Sequence, residues 1–151
     1  MKSQGLIKQF QFVRMGTLKK FDTITEEMAD VKFDGLNNTL RWQLGHIYTV
    51  TEMGMHLGSP EKMQLPARYK DLFGNGTSPA NWTDEVPTLQ ELKEKLHSQM
   101  ARVIELADET NETAAPFEIA NFKTVGEMVH FSISHEMLHQ GQIIIMTKLT
   151  Q

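Results

Sequence analysis

The chain has 151 residues, no cysteine, and a formal charge of −4 from 15 basic and 19 acidic side chains. Hydrophobic residues make up 40% and charged residues 23%. These values sit close to globular averages and exclude a disordered or collagen-like chain; no stretch approaches the ~18 uncharged apolar residues of a membrane-crossing helix. The missing cysteine removes disulfides, thiol nucleophiles and cysteine-based zinc sites together. Mild acidity, with no basic run longer than Lys19-Lys20, argues against nucleic acid as a partner.

The length fits one domain over residues 1–151. The first five residues hold no apolar signal core, so the chain is read as cytoplasmic. Leu6, Phe10, Val13, Leu18, Phe21 and Ile24 recur at three- to five-residue steps, which predicts a first helix over about residues 3–30. A turn follows at Asp34-Gly35. A second helix starts among the cap-forming Asn37, Asn38 and Thr39. It carries Leu40, Leu44, Ile47 and Val50 on one stripe, and Trp42, His46, Met53 and Leu57 on the next; Gly58-Ser59-Pro60 stops it.

Residues 59–87 hold no period and are punctuated by Pro60, Pro66, Gly74, Gly76, Pro79 and Pro87. So long a connection is uncommon in a compact domain, and Tyr69, Leu72, Phe73 and Trp82 make it too apolar for a free linker. The expectation is an ordered crossover packed on the helices, with a helical turn near residues 68–73. Thr88-Leu89-Gln90-Glu91 has the form of a capping box and opens a third helix reaching about Thr110, with Leu89, Leu92, Leu96, Val103 and Leu106 inward. Residues 111–116 end it. Residues 117–122 are short and compatible with an extended segment. A second capping box, Thr124-Val125-Gly126-Glu127, opens a fourth helix reaching about Leu149. Four amphipathic helices, a long crossover between the second and third, and no clear strand predict an all-α four-helix bundle. The crossover is expected to join non-adjacent corners.

Of six histidines, His135 and His139 decide the functional reading. Four residues apart on one helix, they share a face with Cβ atoms ~5–6 Å apart, and two such imidazoles can meet one zinc at ~2.0–2.1 Å. That face, with Met128, Phe131 or Ser132, Gln142, Ile145 or Met146, and Leu149, is read as inward. Buried polar groups left unpaired cost about 1–3 kcal/mol each, so the pair is either hydrogen-bonded in the core or bound to metal. His46, mid-helix after Gly45, is the best third ligand, since bundles build metal sites from facing helices. Three imidazoles leave one coordination position open. His56, His97 and His130 are assigned surface or incidental places.

His135-Glu136-Met137-Leu138-His139 also matches the His-Glu-x-x-His pattern of zinc metalloproteases, in which the Glu is the general base. No His, Asp, Glu or Cys follows His139 to complete such a site, and no sheet edge is expected to hold a peptide. The protease reading is set aside, leaving Glu136 as a solvated residue or a group supporting the ligands.

Trp42-Gln43-Leu44-Gly45-His46, together with the His-x-x-x-His-x-Gly-Gln run from His135 to Gln142, resembles the DinB/YfiT-like superfamily, over nearly the whole chain. The resemblance implies a four-helix bundle of unusual connection order and a divalent metal, often zinc or nickel, on His46, His135 and His139. It implies close helix approach at Gly141, a ligand- or water-orienting Gln142, and frequent homodimerisation. Some members look like thiol-dependent S-transferases or isomerases using low-molecular-weight thiols such as bacillithiol or mycothiol. A metal with an open position holds such a thiol as thiolate, so the protein needs no cysteine of its own. The expectation is a divalent-metal-binding protein acting as a thiol S-transferase on a small electrophile. Trp42, Met53, Phe73 and Trp82 would either line an apolar pocket or pack the core. The alternatives are a metal-dependent hydrolase, with Glu136 as proton acceptor, and a metal- or ligand-binding bundle without turnover. Glu136 points roughly 100° away from His135 on a 3.6-residue helix, which weighs against hydrolysis.

Overall fold

The computed structural model describes residues 3–56, 59–83, 85–110 and 114–151, with side chains except at 108–110 and 114–119. Four long helices dominate these residues: α1 (Gln4–Phe21), α3 (Leu40–Met55), α5 (Leu89–Thr110) and α6 (Val125–Leu149). α2 (Glu26–Ala29) and α4 (Tyr69–Phe73) are single turns, and β1 (Ala114–Ile119) pairs with β2 (Phe122–Thr124) as an antiparallel hairpin. The fold is all-α apart from that hairpin. Among the described residues, no helix is long and apolar enough to cross a membrane.

Side-chain contacts fix the directions of the helices. Ser3 reaches Ala107 and Arg14 reaches Leu96, so α1 and α5 are antiparallel. Leu6 and Phe10 share a cluster with Met128 and Val129, and Thr17 bonds Gln140, so α1 and α6 run parallel. Gln43 meets His139 while Gly54 meets Met128, so α3 and α6 are antiparallel. Arg41 reaches Pro87 and Glu52 reaches Gln99 and Arg102, so α3 and α5 run parallel. The order is up-down-down-up. The crossover therefore joins adjacent, parallel helices rather than non-adjacent corners. Its length follows from having to return along the bundle before α5 can start in the same direction as α3.

The first helix is shorter than its periodicity predicts. It ends at Phe21, and Thr25 caps α2 by accepting from Met28 N. Ile24 stays buried from the link between them, so the apolar spacing continues through the break. Glu26 on α2 then accepts from Leu89 N at 2.8 Å, supplying a cap to α5 from a distant element. Thr88 caps the same end through Glu91 N, while the Glu91 carboxylate is taken by Tyr69 Oη instead of closing a box. At α6 the capping box of Thr124 and Glu127 is complete. The hairpin takes in residues 117–122, compatible with an extended segment by sequence, and its pairing is one the sequence does not predict. Its turn places Ala120 and Asn121 at φ +50° and +70°, the left-handed pair that a two-residue hairpin demands.

The crossover is ordered, as its aromatics require. Phe73 is fully buried against α3, Trp82 Nε1 donates to the Leu72 carbonyl, and Trp42 Nε1 donates to Thr77 Oγ1. One core cluster holds Leu40, Leu44, Ile47, Phe73, Leu92, Leu96 and Ile143, and another holds Leu6, Phe10, Met55, Val103, Met128 and Val129. Along α6, residues 135–139 lie between the two. The expected helix stop at Leu57 and Gly58, and the break at Asn111, lie outside the described residues.

Candidate metal centre

Gly45 sets the site up. A Cβ there would come within 2.4 Å of the Phe73 ring, so only glycine lets Phe73 seat directly on the α3 backbone. That seating carries the Phe73 carbonyl to His46, whose Nδ1 donates to it at 2.6 Å. The Trp42 indole stacks on the His46 ring with centroids 4.3 Å apart and planes 14° from parallel. On α6, His139 Nδ1 donates to Gln43 Oε1 at 2.5 Å. Both rings therefore present a bare Nε2, the tautomer being set by the partner of the other nitrogen.

His135 completes the group. Its Nε2 lies 3.1 Å from His46 Nε2 and 3.1 Å from His139 Nε2, and one ligand atom from each ring falls within 4.8 Å of the others. A single His135 N–H can satisfy just one of the two lone pairs aimed at it. A cation among the three nitrogens satisfies all of them. Tetrahedral ligation at ~2.0–2.1 Å separates ligand nitrogens by about 3.3 Å, close to what the chain presents without any ion. The donor set fits a divalent metal.

Electrostatics agree. Burial, followed by the neighbouring His139 and His46, pushes His135 down to about 3. Burial, then His46, pushes His139 to about 4. Burial holds His46 below the usual imidazole range against the opposing Phe73 hydrogen bond. All three are neutral at pH 7, the form that binds metal.

A cavity of about 340 Å³ lies against His46 and His135, walled by Val50, Met53, Gly54, Gly74, Asn75, Met128 and Phe131. None of these residues carries a charge. Larger depressions under the crossover and beside α1 include none of the three histidines.

A family model of the DinB superfamily matches residues 9–143. The chain belongs to the DinB superfamily. No curated protein matches it. Membership and the three-histidine cluster together fit a metal-binding DinB-like protein.

Several sequence expectations for this DinB chain are corrected by the structure. Glu136 is neither solvated nor beside the ligands: it is fully buried and paired with Arg14. Position 136 faces α1, whereas His135 and His139 face α3. His56 is buried too, 3.3 Å from Glu52; His97 and His130 are exposed. Gly141 faces open space, with nothing within 4 Å of a built Cβ, so it mediates no helix approach within the chain. Gln142 is exposed, although its side chain reaches His139. Met128, Ser132, His139 and Met146 of the face read as inward are buried, whereas Gln142, Ile145 and Leu149 are exposed, so the reading fails only toward the C-terminal end. Apolar residues also lie on the outer side of α6, at Met137, Leu138 and Ile145, which blurs the period there. Of the four residues expected at the pocket or in the core, Met53 lines the cavity; Trp42, Phe73 and Trp82 pack around the site.

Sequence reading missed Gln43, Arg14 and Asn75. Gln43 had a signal: it sits three residues before His46, on the same helical face. Arg14 had none, because its partner lies 122 residues away.

Proposed function

We propose that this protein is a divalent-metal-dependent thiol S-transferase. In this reading His46, His135 and His139 hold one zinc or nickel ion through Nε2, both metals suiting imidazole. The carrying observation is the pair of lone pairs, on His46 and His139, directed at the third imidazole with their own N–H groups already bonded to Phe73 and Gln43. An ion bound there supplies Lewis acidity that keeps a low-molecular-weight thiol as thiolate near neutral pH.

The chain's own residues account for the remainder. Val50, Met53, Met128 and Phe131 receive a small apolar electrophile and exclude water from it. The sulfur–carbon bond forms as the leaving group departs with its bonding pair, and the thiol proton passes to solvent. Hydrolysis would want a base beside the open position, and Glu136, the acid nearest in sequence, is committed to Arg14.

The test starts with the metal content of protein purified without an affinity tag, beside His135→Ala/His139→Ala. The expected result is close to one ion per chain, lost in the variant. Metal-loaded protein is then given a low-molecular-weight thiol and an alkyl halide, and loss of thiol is followed. No binding after reconstitution with Zn²⁺ or Ni²⁺ would reduce the three residues to core histidines. Stoichiometric metal with no transfer would leave a binding bundle without turnover.

A further inference from the structure

The three imidazoles are not held alike. His46 is turned by a main-chain carbonyl, His139 by the buried Gln43 side chain at Nδ1 with the exposed Gln142 also in reach, while His135 Nδ1 is buried without a partner. Gln43 is 2% exposed, so water does not stand in for it. It shares one face of α3 with His46. That face thus gives both a ring nitrogen to the site and the acceptor that turns a ring from α6.

We propose that Gln43 is a positioning residue for metal binding. By accepting the Nδ1 proton of His139 it holds the tautomer that leaves Nε2 bare, and it ties that ring to α3. The inference rests on the metal-binding reading above. The amide also matters for what it lacks. A carboxylate in its place would orient the ring equally well but add a negative charge behind it, raising ligand basicity. With Glu136 held by Arg14, no carboxylate contacts any of the three rings in the described residues. A cation on three neutral imidazoles keeps its full charge for an anionic sulfur.

Titration with Co²⁺, read by its absorption bands, compares the intact protein with Gln43→Leu and Gln43→Glu. The leucine variant is expected to bind about 10–100-fold more weakly, the usual effect of losing a partner behind a ligand. The glutamate variant is expected to bind at least as tightly as the intact protein, a rescue that a packing role would not produce. In the metal-free protein, long-range ¹H–¹⁵N spectra are expected to show His139 protonated on Nδ1 in the intact and glutamate forms. If the leucine variant fails to fold, that spectrum still decides. An Nε2–H tautomer for His139 in the intact protein would overturn the proposal, as would Co²⁺ binding by Gln43→Leu within about twofold of the intact protein. If the intact protein binds no Co²⁺, Zn²⁺ or Ni²⁺, the metal reading falls first and this one with it.

Discussion

Arg14 and Glu136, both with no exposed side-chain surface, meet in a two-pronged ion pair across α1 and α6, with Nε 2.9 Å from Oε1 and Nη2 3.0 Å from Oε2. Arg14 Nη1 also donates to the Leu96 carbonyl at 2.8 Å, which brings α5 into the same junction. Removing one member leaves an uncompensated buried charge, a loss of about 3–5 kcal/mol. Glu136→Gln is therefore expected to lower urea-unfolding stability by that order while metal stoichiometry stays unchanged under folding conditions. The matched double variant Arg14→Met/Glu136→Leu should recover most of the loss. A Glu136→Gln protein of unchanged stability would contradict the pair's role.

Two glycines separate cleanly. Gly45→Ala drives a methyl into the Phe73 ring and should cost about 1–3 kcal/mol by overpacking. Because the Phe73 carbonyl turns His46, metal affinity should fall with it. Gly141→Ala meets nothing and gains helix propensity of about 0.8–1 kcal/mol. Thermal midpoints for the two variants should move in opposite directions.

Stability of the metal-free protein should depend on pH through its buried histidines. Burial, with the neighbouring imidazoles, pushes His135 to about 3 and His139 to about 4. Burial also lowers His46 and His56. Unfolding returns each to ~6.5, so below that pH the unfolded chain takes up protons that the folded chain refuses. Stability should be level above ~6.5 and fall as pH drops toward the folded values, by up to about 1.4 kcal/mol per pH unit for each histidine. Urea midpoints measured across this range with a chelator present would check the slope; a level profile would refute it.

Met53 tests the cavity apart from the metal. Met53→Trp narrows the space beside His46 and His135 and is expected to raise KM for the electrophile several-fold. Metal content should not change. A loss of metal instead would show that Met53 supports the ligands and not the substrate.

The helices and the His135–His139 pair were legible in the sequence because local spacing encodes them: caps at Thr39 and Thr124, and a four-residue step between the two histidines. His46, 89 residues from His135, was legible through its place after Gly45 and the family resemblance. The break after Phe21 was hidden because Ile24 remains buried from a link and so keeps the apolar period going. The exposure of the last turns of α6 was hidden for the opposite reason. Met137, Leu138, Ile145 and Leu149 are exposed, so outer and inner faces look alike in composition. The fate of Glu136 depends on Arg14, and that of His56 on burial beside Glu52 under the crossover. Pairings of the first kind are set by tertiary packing and leave no trace in short-range pattern.

α3 and α5 run in the same direction, and this makes one segment serve two places at once. The histidines sit on helices whose facing side chains constrain one another, whereas Gly74 and Asn75, on one wall of the cavity, belong to the segment that carries the chain back between those helices. Beyond Phe73, Thr77 still holds Trp42 and Trp82 still packs on Phe73, so that segment touches the cavity and, through those two rings, His46. One stretch of backbone thus shapes the cavity wall and, at one remove, the orientation of an imidazole, so a change there is felt at both.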